Sequence, residues 1–202
     1  MPMQSELING PAGLLEMKLE SLDSVTAASA LAVVAHPHPQ HGGTMDNKVV
    51  YSVARELAAS GLAVARFNFR GVGQSEGAYD EGRGEVEDLL AVLEEMQRRF
   101  GDLPVWLAGF SFGGYVAARA SALCAVQQLC LVAPAVSRAY FDEPAVAECA
   151  GLLIHGDQDQ LIEPQTTRNW ADEQPGQWDY RIIEGADHFF HGKLSPLREA
   201  VR

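Results

Sequence analysis

The sequence predicts an α/β protein: a mostly parallel central sheet with helices on both of its faces. Two observations carry this prediction. Short, continuous apolar runs such as Leu31–Ala35 are typical of strands that are covered on both faces, as parallel strands are. These runs alternate along the chain with amphipathic segments of helical period, two of which end at Gly61 and Gly101. Strand–helix alternation of this kind is the pattern of βαβ units.

Hydrophobic periodicity locates the individual elements. Residues 14–20 alternate apolar and polar side chains, which predicts a half-exposed antiparallel strand. The other predicted strands are residues 31–35, 62–69, 104–108, 128–132, 152–154 and 180–183. The predicted helices are residues 46–60, 85–100, 115–123, 143–150, 163–172 and 189 to the end.

Length and composition favour one domain over residues 1–202. A chain of 202 residues with 47% hydrophobic and 21% charged residues buries a sizeable core without staples. No repeat or linker divides it. Only residues 133–142 separate the strand at 128–132 from the next predicted helix, which leaves no room for a substantial cap domain.

Net charge excludes two classes of partner, and the cysteines indicate a reducing compartment. Fifteen basic against 27 acidic residues give a net charge of −12, which repels nucleic-acid phosphates and anionic membranes. The start of the chain has no basic n-region, and no stretch approaches the ~20 apolar residues of a membrane span. Cys124, Cys130 and Cys149 lie in apolar surroundings, as reduced buried thiols do. We expect a cytoplasmic protein; the sequence leaves its oligomeric state open.

Residues 109–114, Gly-Phe-Ser-Phe-Gly-Gly, lie between a predicted strand and a predicted helix. A Gly-x-Ser-x-Gly in this context is the pattern of a nucleophile elbow. The turn is so sharp that Gly109 and Gly113 must lack β-carbons, while Ser111 is held in a strained conformation. The hydroxyl group of Ser111 then projects above the sheet, at the start of a helix whose N–H groups attract an anion.

A serine nucleophile needs a base, and the base needs a carboxylate that fixes its tautomer. Both follow the serine here, each directly after a predicted strand. Asp157 and Asp159 lie in the loop after residues 152–154. Asp187 and His188 lie in the loop after residues 180–183.

Together these segments resemble the α/β-hydrolase superfamily, in particular small lidless bacterial members of its dienelactone-hydrolase-like branch. The elbow is joined by a His-Gly-x-x-Asp acid loop, a histidine loop, an arginine–glycine loop and an oxyanion-type loop. They occur in the order of that fold. The residues that carry the resemblance are 36–47, 68–77, 109–114, 155–159 and 185–188.

The resemblance implies that Ser111 is the nucleophile, Asp159 the acid and His188 the base. Asp157 is the rival acid, but only Asp159 fits the family spacing. Asp157 is then expected to hydrogen-bond the backbone of its own loop.

Two neighbours of His188 need separate roles. Asp187 immediately precedes His188, so its carboxylate is not placed to reach the side of that ring that faces away from the serine. A loop-shaping role is expected for it. His191 is the rival base. One helical turn further on, it is interpreted as an exposed helix residue.

An oxyanion hole needs two backbone N–H groups. Phe112, directly after the nucleophile, is expected to supply one. The second is expected from the loop after residues 31–35, where relatives read His-Gly-x and the third residue donates. This chain reads His36-Pro37-His38 there. Pro37 has no N–H, so His38 is the candidate.

We expect no metal and no cofactor. His36, His38 and His41 are candidate zinc ligands, but no acidic residue follows closely until Asp46, and the prolines stiffen the loop. The glycine-rich residues 70–77, with Arg70 and Ser75, lack the lysine of a phosphate-binding loop. They are interpreted as a turn that braces the oxyanion loop.

The resemblance implies a serine hydrolase that cleaves a small-molecule substrate, namely a short-chain ester, thioester or related acyl compound, through an acyl-enzyme. Two alternatives stay open: a peptidase or thioesterase with the same residues, and a non-catalytic binding protein of the same fold. The expected pocket lining is apolar: Phe110, Tyr140, Phe141 and Phe189.

Overall fold

The structure, a computed structural model, describes residues 5–20, 28–136 and 146–202. Eight strands and five α-helices lie in this part of the chain. The strands are β1 Glu6–Gly10, β2 Gly13–Leu19, β3 Leu31–Ala35, β4 Ala63–Phe67, β5 Val105–Phe110, β6 Gln128–Val132, β7 Cys149–Gly156 and β8 Gly176–Ile183. The helices are α1 Lys48–Ala59, α2 Arg83–Phe100, α3 Phe112–Ser121, α4 Pro164–Asp172 and α5 Leu194–Val201.

All eight strands form one sheet in the order β1-β2-β4-β3-β5-β6-β7-β8. The pairs β1–β2 and β2–β4 are antiparallel, and every pair from β4 to β8 is parallel. The carboxyl ends of parallel strands meet at one edge of a sheet, which is where α/β proteins place their sites. The loops after β3, β4, β5, β7 and β8 therefore converge at that edge.

Strand β3 explains why the parallel strands are continuously apolar. Leu31 and Val33 point into the core beneath α2, α3 and α4, whereas Ala32 and Val34 point into the core beneath α1 and α5. All five β3 residues are buried. Successive side chains leave a strand on opposite faces, so a strand covered on both sides has no polar position. This confirms the predicted, mostly parallel sheet with helices on both faces.

The predicted and observed elements differ at the sheet edges. Strand β1 was not predicted; its pairing with β2, from Glu6↔Met17 to Gly10↔Gly13, makes it a strand. The helix predicted at residues 143–150 is wrong over the part that the structure describes: residues 146–148 are not helical, and Cys149 and Ala150 belong to β7. Pairing with both β6 and β8 decides this. Residues 143–145 lie outside the described part of the chain.

The last helix begins five residues later than predicted, at Leu194. Residues 189–193 form turns instead. Phe190 and Gly192 both have positive φ angles, 54° and 67°, which a right-handed helix does not accommodate. His191 is therefore a turn residue and not a helix residue.

Two further expectations concern membranes and thiols. In the described ranges, no helix is long and apolar enough to cross a membrane. The three cysteines are unpaired; Cys130 and Cys149 are buried and Cys124 is partly buried.

Candidate active site

Ser111 lies on a strained turn between β5 and α3. Its φ of 55° and ψ of −118° are outside the conformations that residues with a side chain ordinarily adopt. A β-carbon on Gly109 would overlap the carbonyl group of Gly113. A β-carbon on Gly113 would overlap the carbonyl group of Ala35, at the end of β3. The absence of a side chain at Gly109 therefore leaves room for the sharp turn. Its absence at Gly113 leaves room for the end of strand β3.

Hydrogen bonds on both sides hold this strained residue. The N–H of Ser111 donates to the carbonyl of Val132 at 2.9 Å. Its carbonyl accepts from the N–H groups of Gly114 at 2.9 Å and Ala135 at 3.0 Å. Strain of this kind persists only where the surroundings over-determine the conformation.

The structure brings the side chains of Ser111, His188 and Asp159 into one hydrogen-bonded series. The Nε2 atom of His188 lies 3.1 Å from the Ser111 Oγ. Its Nδ1 atom lies 2.7 Å from Oδ2 of Asp159. An ionised carboxylate only accepts hydrogen bonds, so Nδ1 carries a proton; in the neutral ring, Nε2 then presents its lone pair to the serine hydroxyl.

The Asp159 side chain is fully buried, and all its contacts are donors. Its Oδ1 accepts from the N–H groups of Leu161 and Ile162, both at 2.9 Å. Burial alone would raise the pKa of Asp159. Hydrogen bonds from the two histidines that contact its Oδ2, and from the Ile162 N–H, outweigh burial and hold that pKa well below its usual range. The carboxylate therefore stays charged beside His188.

One of those two histidines, His155, was missed by the sequence interpretation. Its Nε2 lies 3.0 Å from Asp159 Oδ2 and 3.0 Å from the carbonyl oxygen of Ile162. Its side chain is fully buried. The available signal was its place in the His-Gly-x-x-Asp segment, where it was treated only as part of a family pattern.

The rival acid Asp157, the rival base His191 and the neighbouring Asp187 have other partners. Asp157 accepts a 2.7 Å hydrogen bond from the N–H of Gly185, so it ties the acid loop to the histidine loop. The expectation that it bonds its own loop is wrong in this respect, because the nearest donor comes from a segment 28 residues away. Asp187 accepts from the N–H groups of Phe189 and His191, which fits its loop-shaping role. His191 is exposed and pairs with Asp187 at 2.7 Å.

His38 lies beside Phe112, next to the elbow. Their ring centroids are 4.9 Å apart. Within the described residues, the backbone N–H of His38 has no hydrogen-bond acceptor. Its Nδ1 accepts from the N–H of Gln40 at 3.2 Å, so Nε2 carries the proton and donates to the Tyr79 hydroxyl at 3.1 Å. Burial first, and nearby His41 second, lower the pKa of His38.

His36 anchors the start of the oxyanion loop. Its Nδ1 lies 2.6 Å from the carbonyl oxygen of Pro37, and its Nε2 accepts from the N–H of Phe69 at 3.1 Å. A neutral ring with the proton on Nδ1 satisfies both contacts. Burial lowers the pKa of His36 to about 4, despite the opposing bond to Pro37. The ring therefore stays neutral and joins the loop after β3 to the end of β4.

Asn68 braces the same loop directly, and the turn expected to brace it, residues 70–77, does so through Asn68. Asn68 accepts from the N–H of Met45 at 2.8 Å and donates to Glu16 at 2.7 Å. Ser75 donates to the Asn68 carbonyl at 2.7 Å and accepts from the Glu16 N–H at 2.9 Å. Glu16 also accepts from the N–H of Gln74 at 2.9 Å.

Arg70 makes a buried ion pair with Asp88, on α2. Its Nε and Nη2 atoms lie 3.0 Å and 2.8 Å from Asp88 Oδ1. The backbone N–H of Arg70 also donates to this carboxylate, at 2.9 Å. The guanidinium group is thus committed to packing the glycine-rich loop against α2, and the loop is structural.

Two of the four residues expected to line the pocket, Phe110 and Phe189, lie in the part of the chain that the structure describes. Phe189 is 48% exposed and packs edge-on against the His188 ring, with centroids 5.1 Å apart. Phe110 is buried in the core under α1 and α5, where it supports His188 from below. It is therefore not an open wall. Tyr140 and Phe141 lie outside the described residues.

The three histidines of residues 36–41 were weighed as metal ligands. In the part of the chain that the structure describes, no group of three or more histidine, cysteine or acidic side chains is arranged to hold a metal ion. Both ring nitrogens of His36 and of His38 are occupied by the partners given above.

An eight-stranded, mostly parallel sheet with a serine elbow after β5 defines an α/β-hydrolase-fold protein. Residues 30–151, more than half of the chain, match the hydrolase family described as serine aminopeptidase S33. The chain belongs to this family of hydrolases.

Several relatives resemble the whole chain. An uncharacterized protein of Rickettsia prowazekii is 34% identical over 96% of this chain and 84% of its own length. An α/β serine hydrolase homologue from Coxiella burnetii is 40% identical, with a TM-score of 0.91 over 100% of this chain and 96% of that one. A lidless α/β serine hydrolase from Xanthomonas campestris is 38% identical, with a TM-score of 0.85 over 98% and 91% of the two chains.

Proposed function

We propose that this protein is a serine esterase that cleaves a short-chain ester, thioester or related acyl compound through an acyl-enzyme on Ser111. The observation that carries the proposal is the position of His188. Its Nε2 lies 3.1 Å from the hydroxyl of a strained, elbow-held serine, while its Nδ1 lies 2.7 Å from the buried Asp159 carboxylate. A nucleophile, a base and an orienting carboxylate in this geometry support acyl transfer.

In the proposed reaction, the Ser111 Oγ attacks the carbonyl carbon as His188 Nε2 takes the hydroxyl proton. The charge of Asp159 stabilises the imidazolium that forms. The tetrahedral intermediate then expels the alcohol or thiol, which receives the proton from His188. A water molecule, activated by the same nitrogen, attacks the acyl-enzyme, and the acid is released as the serine recovers its proton.

The oxyanion is proposed to bind the backbone N–H groups of Phe112 and His38. Phe112 is the first residue of α3, where the helix dipole adds positive potential. The N–H of His38 lacks an acceptor among described residues, and its ring packs against that of Phe112. Donors held in advance at the developing charge account for a large share of such rate enhancements.

The proposed preference for short acyl groups rests on the absence of room for a cap. The segment between β6 and β7, where a cap domain would be inserted, comprises residues 133–148. An open mouth buries only the first part of an acyl chain. Each buried methylene contributes about 0.8 kcal/mol, or roughly three- to fourfold in binding.

Two measurements test this function. A fluorophosphonate probe should label the wild-type protein at Ser111 and should not label Ser111→Ala. With p-nitrophenyl esters from acetate to palmitate, kcat/KM should rise over the first few acyl carbons and then level or fall. An unlabelled Ser111, or Ser111→Ala activity within tenfold of wild type, would refute the nucleophile; a steady rise to palmitate would refute the short-chain preference.

A peptidase is the second candidate, because the matching family is described as a serine aminopeptidase. The same residues would attack an amide, and His188 would protonate the leaving amine as it protonates a leaving alcohol. Aminoacyl p-nitroanilides, assayed beside p-nitrophenyl esters of matched acyl groups, separate the two. A higher kcat/KM on the anilides would assign the peptidase.

A further inference from the structure

The hydrogen-bonded series at Ser111 does not end at Asp159. Beyond it, His155 contacts the same Oδ2 atom that His188 contacts, at 3.0 Å and 2.7 Å respectively. On its other side, the Nδ1 atom of His155 lies 2.9 Å from the hydroxyl oxygen of Thr167, on α4. Thr167 and His155 are both fully buried.

The proton positions follow from the partners. Nε2 of His155 faces two acceptors, the carboxylate of Asp159 and the carbonyl of Ile162. It must therefore carry a proton and donate. In the neutral ring, Nδ1 then presents a lone pair to the Thr167 hydroxyl, 2.9 Å away. That hydroxyl also lies 3.0 Å from the carbonyl oxygen of Pro164, one turn back on α4, so it is held from both sides. Asp159 and Ile162 thus select the tautomer of His155, and Thr167 holds the ring in the orientation that places its donor at Asp159.

These contacts leave the Asp159 carboxylate one orientation. Its Oδ1 is held by the N–H groups of Leu161 and Ile162, and its Oδ2 by His155. Rotation of the carboxylate about its Cβ–Cγ bond would leave a buried donor of His155 without its carboxylate partner, which is costly. The oxygen that faces His188 is therefore fixed before any substrate binds.

We propose that His155 is a positioning residue, oriented by Thr167, that holds the Asp159 carboxylate in the direction His188 requires for proton transfer. The inference rests on the proposed function, since it concerns the same reaction. It extends the hydrogen-bonded series from the three side chains of the proposed reaction to five, by adding His155 and Thr167.

Two substitutions at position 155 separate positioning from packing. In His155→Gln the amide nitrogen is as many bonds from the backbone as Nε2 of the histidine, so a donor for Asp159 is retained. In His155→Asn the amide group reaches only the position of Nδ1. Loss of a hydrogen bond to a charged group should lower kcat about ten- to a hundredfold in His155→Asn. KM should stay within about twofold, and His155→Gln should recover most of kcat.

Adjacent threonines on α4 provide a matched pair that leaves His155 in place. Thr167→Val removes the hydroxyl that orients His155 and nearly preserves the side-chain volume. Thr166 contacts only Glu163 through its side-chain hydroxyl, at 3.1 Å, so Thr166→Val is the control. We expect a loss in kcat of about three- to tenfold in Thr167→Val and no change in Thr166→Val.

The wild-type protein is first reacted with the fluorophosphonate probe, because failure of labelling would refute the proposed function and not this inference. Labelling rates, kcat, KM and thermal unfolding are then measured for all four variants, well below each melting temperature. Equal kcat in His155→Gln and His155→Asn, with melting temperatures lowered alike, would overturn the inference. If His155→Asn does not fold, equal kcat in Thr167→Val and Thr166→Val overturns it.

Discussion

Two loop clusters meet at Ser111, and they position different kinds of group. The loops after β7 and β8 form the first cluster, which positions side chains. In this cluster, all ring nitrogens of His155 and His188 have hydrogen-bond partners. The cluster after β3 and β4 holds the backbone around His38, whose N–H is the proposed oxyanion donor. Its hydrogen bonds fix the course of the backbone: the Phe69 N–H donates to the His36 ring, and the Met45 N–H donates to the Asn68 side chain.

This difference predicts which residues tolerate replacement. A proton-transfer side chain is defined by its functional group, so the acid–histidine side retains the family residues. A backbone donor is defined only by where the chain runs. A chain in which His-Pro-His replaces His-Gly-x therefore keeps the same proposed role, provided that position 38 retains its N–H.

The largest expected effect falls on the acid–histidine side. Asp159→Asn should lower kcat by about 10⁴-fold, because an amide no longer fixes the Nδ1–H tautomer of His188. The isosteric control Asp157→Asn, which keeps an acceptor for the Gly185 N–H, should stay within about threefold of wild type, since that interaction contributes mainly to stability. Kinetics on a p-nitrophenyl ester measure both. Reversed losses would assign the acid role to Asp157.

On the oxyanion side, the sharpest variant removes only an N–H. The φ of His38 is −51°, which proline adopts, so His38→Pro deletes the donor with little change in the chain path. Its kcat should fall about 10²- to 10³-fold relative to His38→Ala, which loses the side chain but keeps the N–H. Equal kcat values for the two variants would show that position 38 is not an oxyanion donor.

The anchor of the oxyanion loop should make stability pH-dependent. The pKa of His36 is about 4 when folded and 6.5 when unfolded, so the unfolded chain binds this proton first as pH falls. Stability is complete above pH 6.5 and declines down to about pH 4, by about 3 kcal/mol in total from this residue. Urea unfolding at several pH values should show this decline in wild type and its absence in the non-titrating His36→Gln. Parallel curves for the two proteins would contradict it.

The smallest expected effect separates two neighbouring histidines. His191 is exposed and pairs with Asp187, so His191→Asn should change kcat by less than about twofold, as exposed pairs contribute little. His188→Asn, assayed in parallel, should abolish turnover. A large loss of kcat in His191→Asn would instead assign the role of base to His191 and would contradict the assignment to His188.

The sequence alone predicted the central elements and the three side chains of the proposed reaction. Strands β3 and β6 were located to the residue, since burial on both faces leaves an unbroken apolar run. Ser111, Asp159 and His188 were identified because their segments resemble the elbow, the acid loop and the histidine loop of the α/β-hydrolase superfamily. The first inference uses periodicity, and the second uses short motifs, their spacing and their order along the chain.

Tertiary structure decided what depends on contacts between distant segments. The partner of Asp157 is the N–H of Gly185, 28 residues away, and the partner of His155 is Thr167, on a separate helix. Strand β1 exists through its pairing with β2, and a turn at Phe190 and Gly192 delays α5. Periodicity and composition do not determine these partners, because a hydrogen bond or a strand pairing depends on where two groups lie in space and not on the residues beside them in the chain.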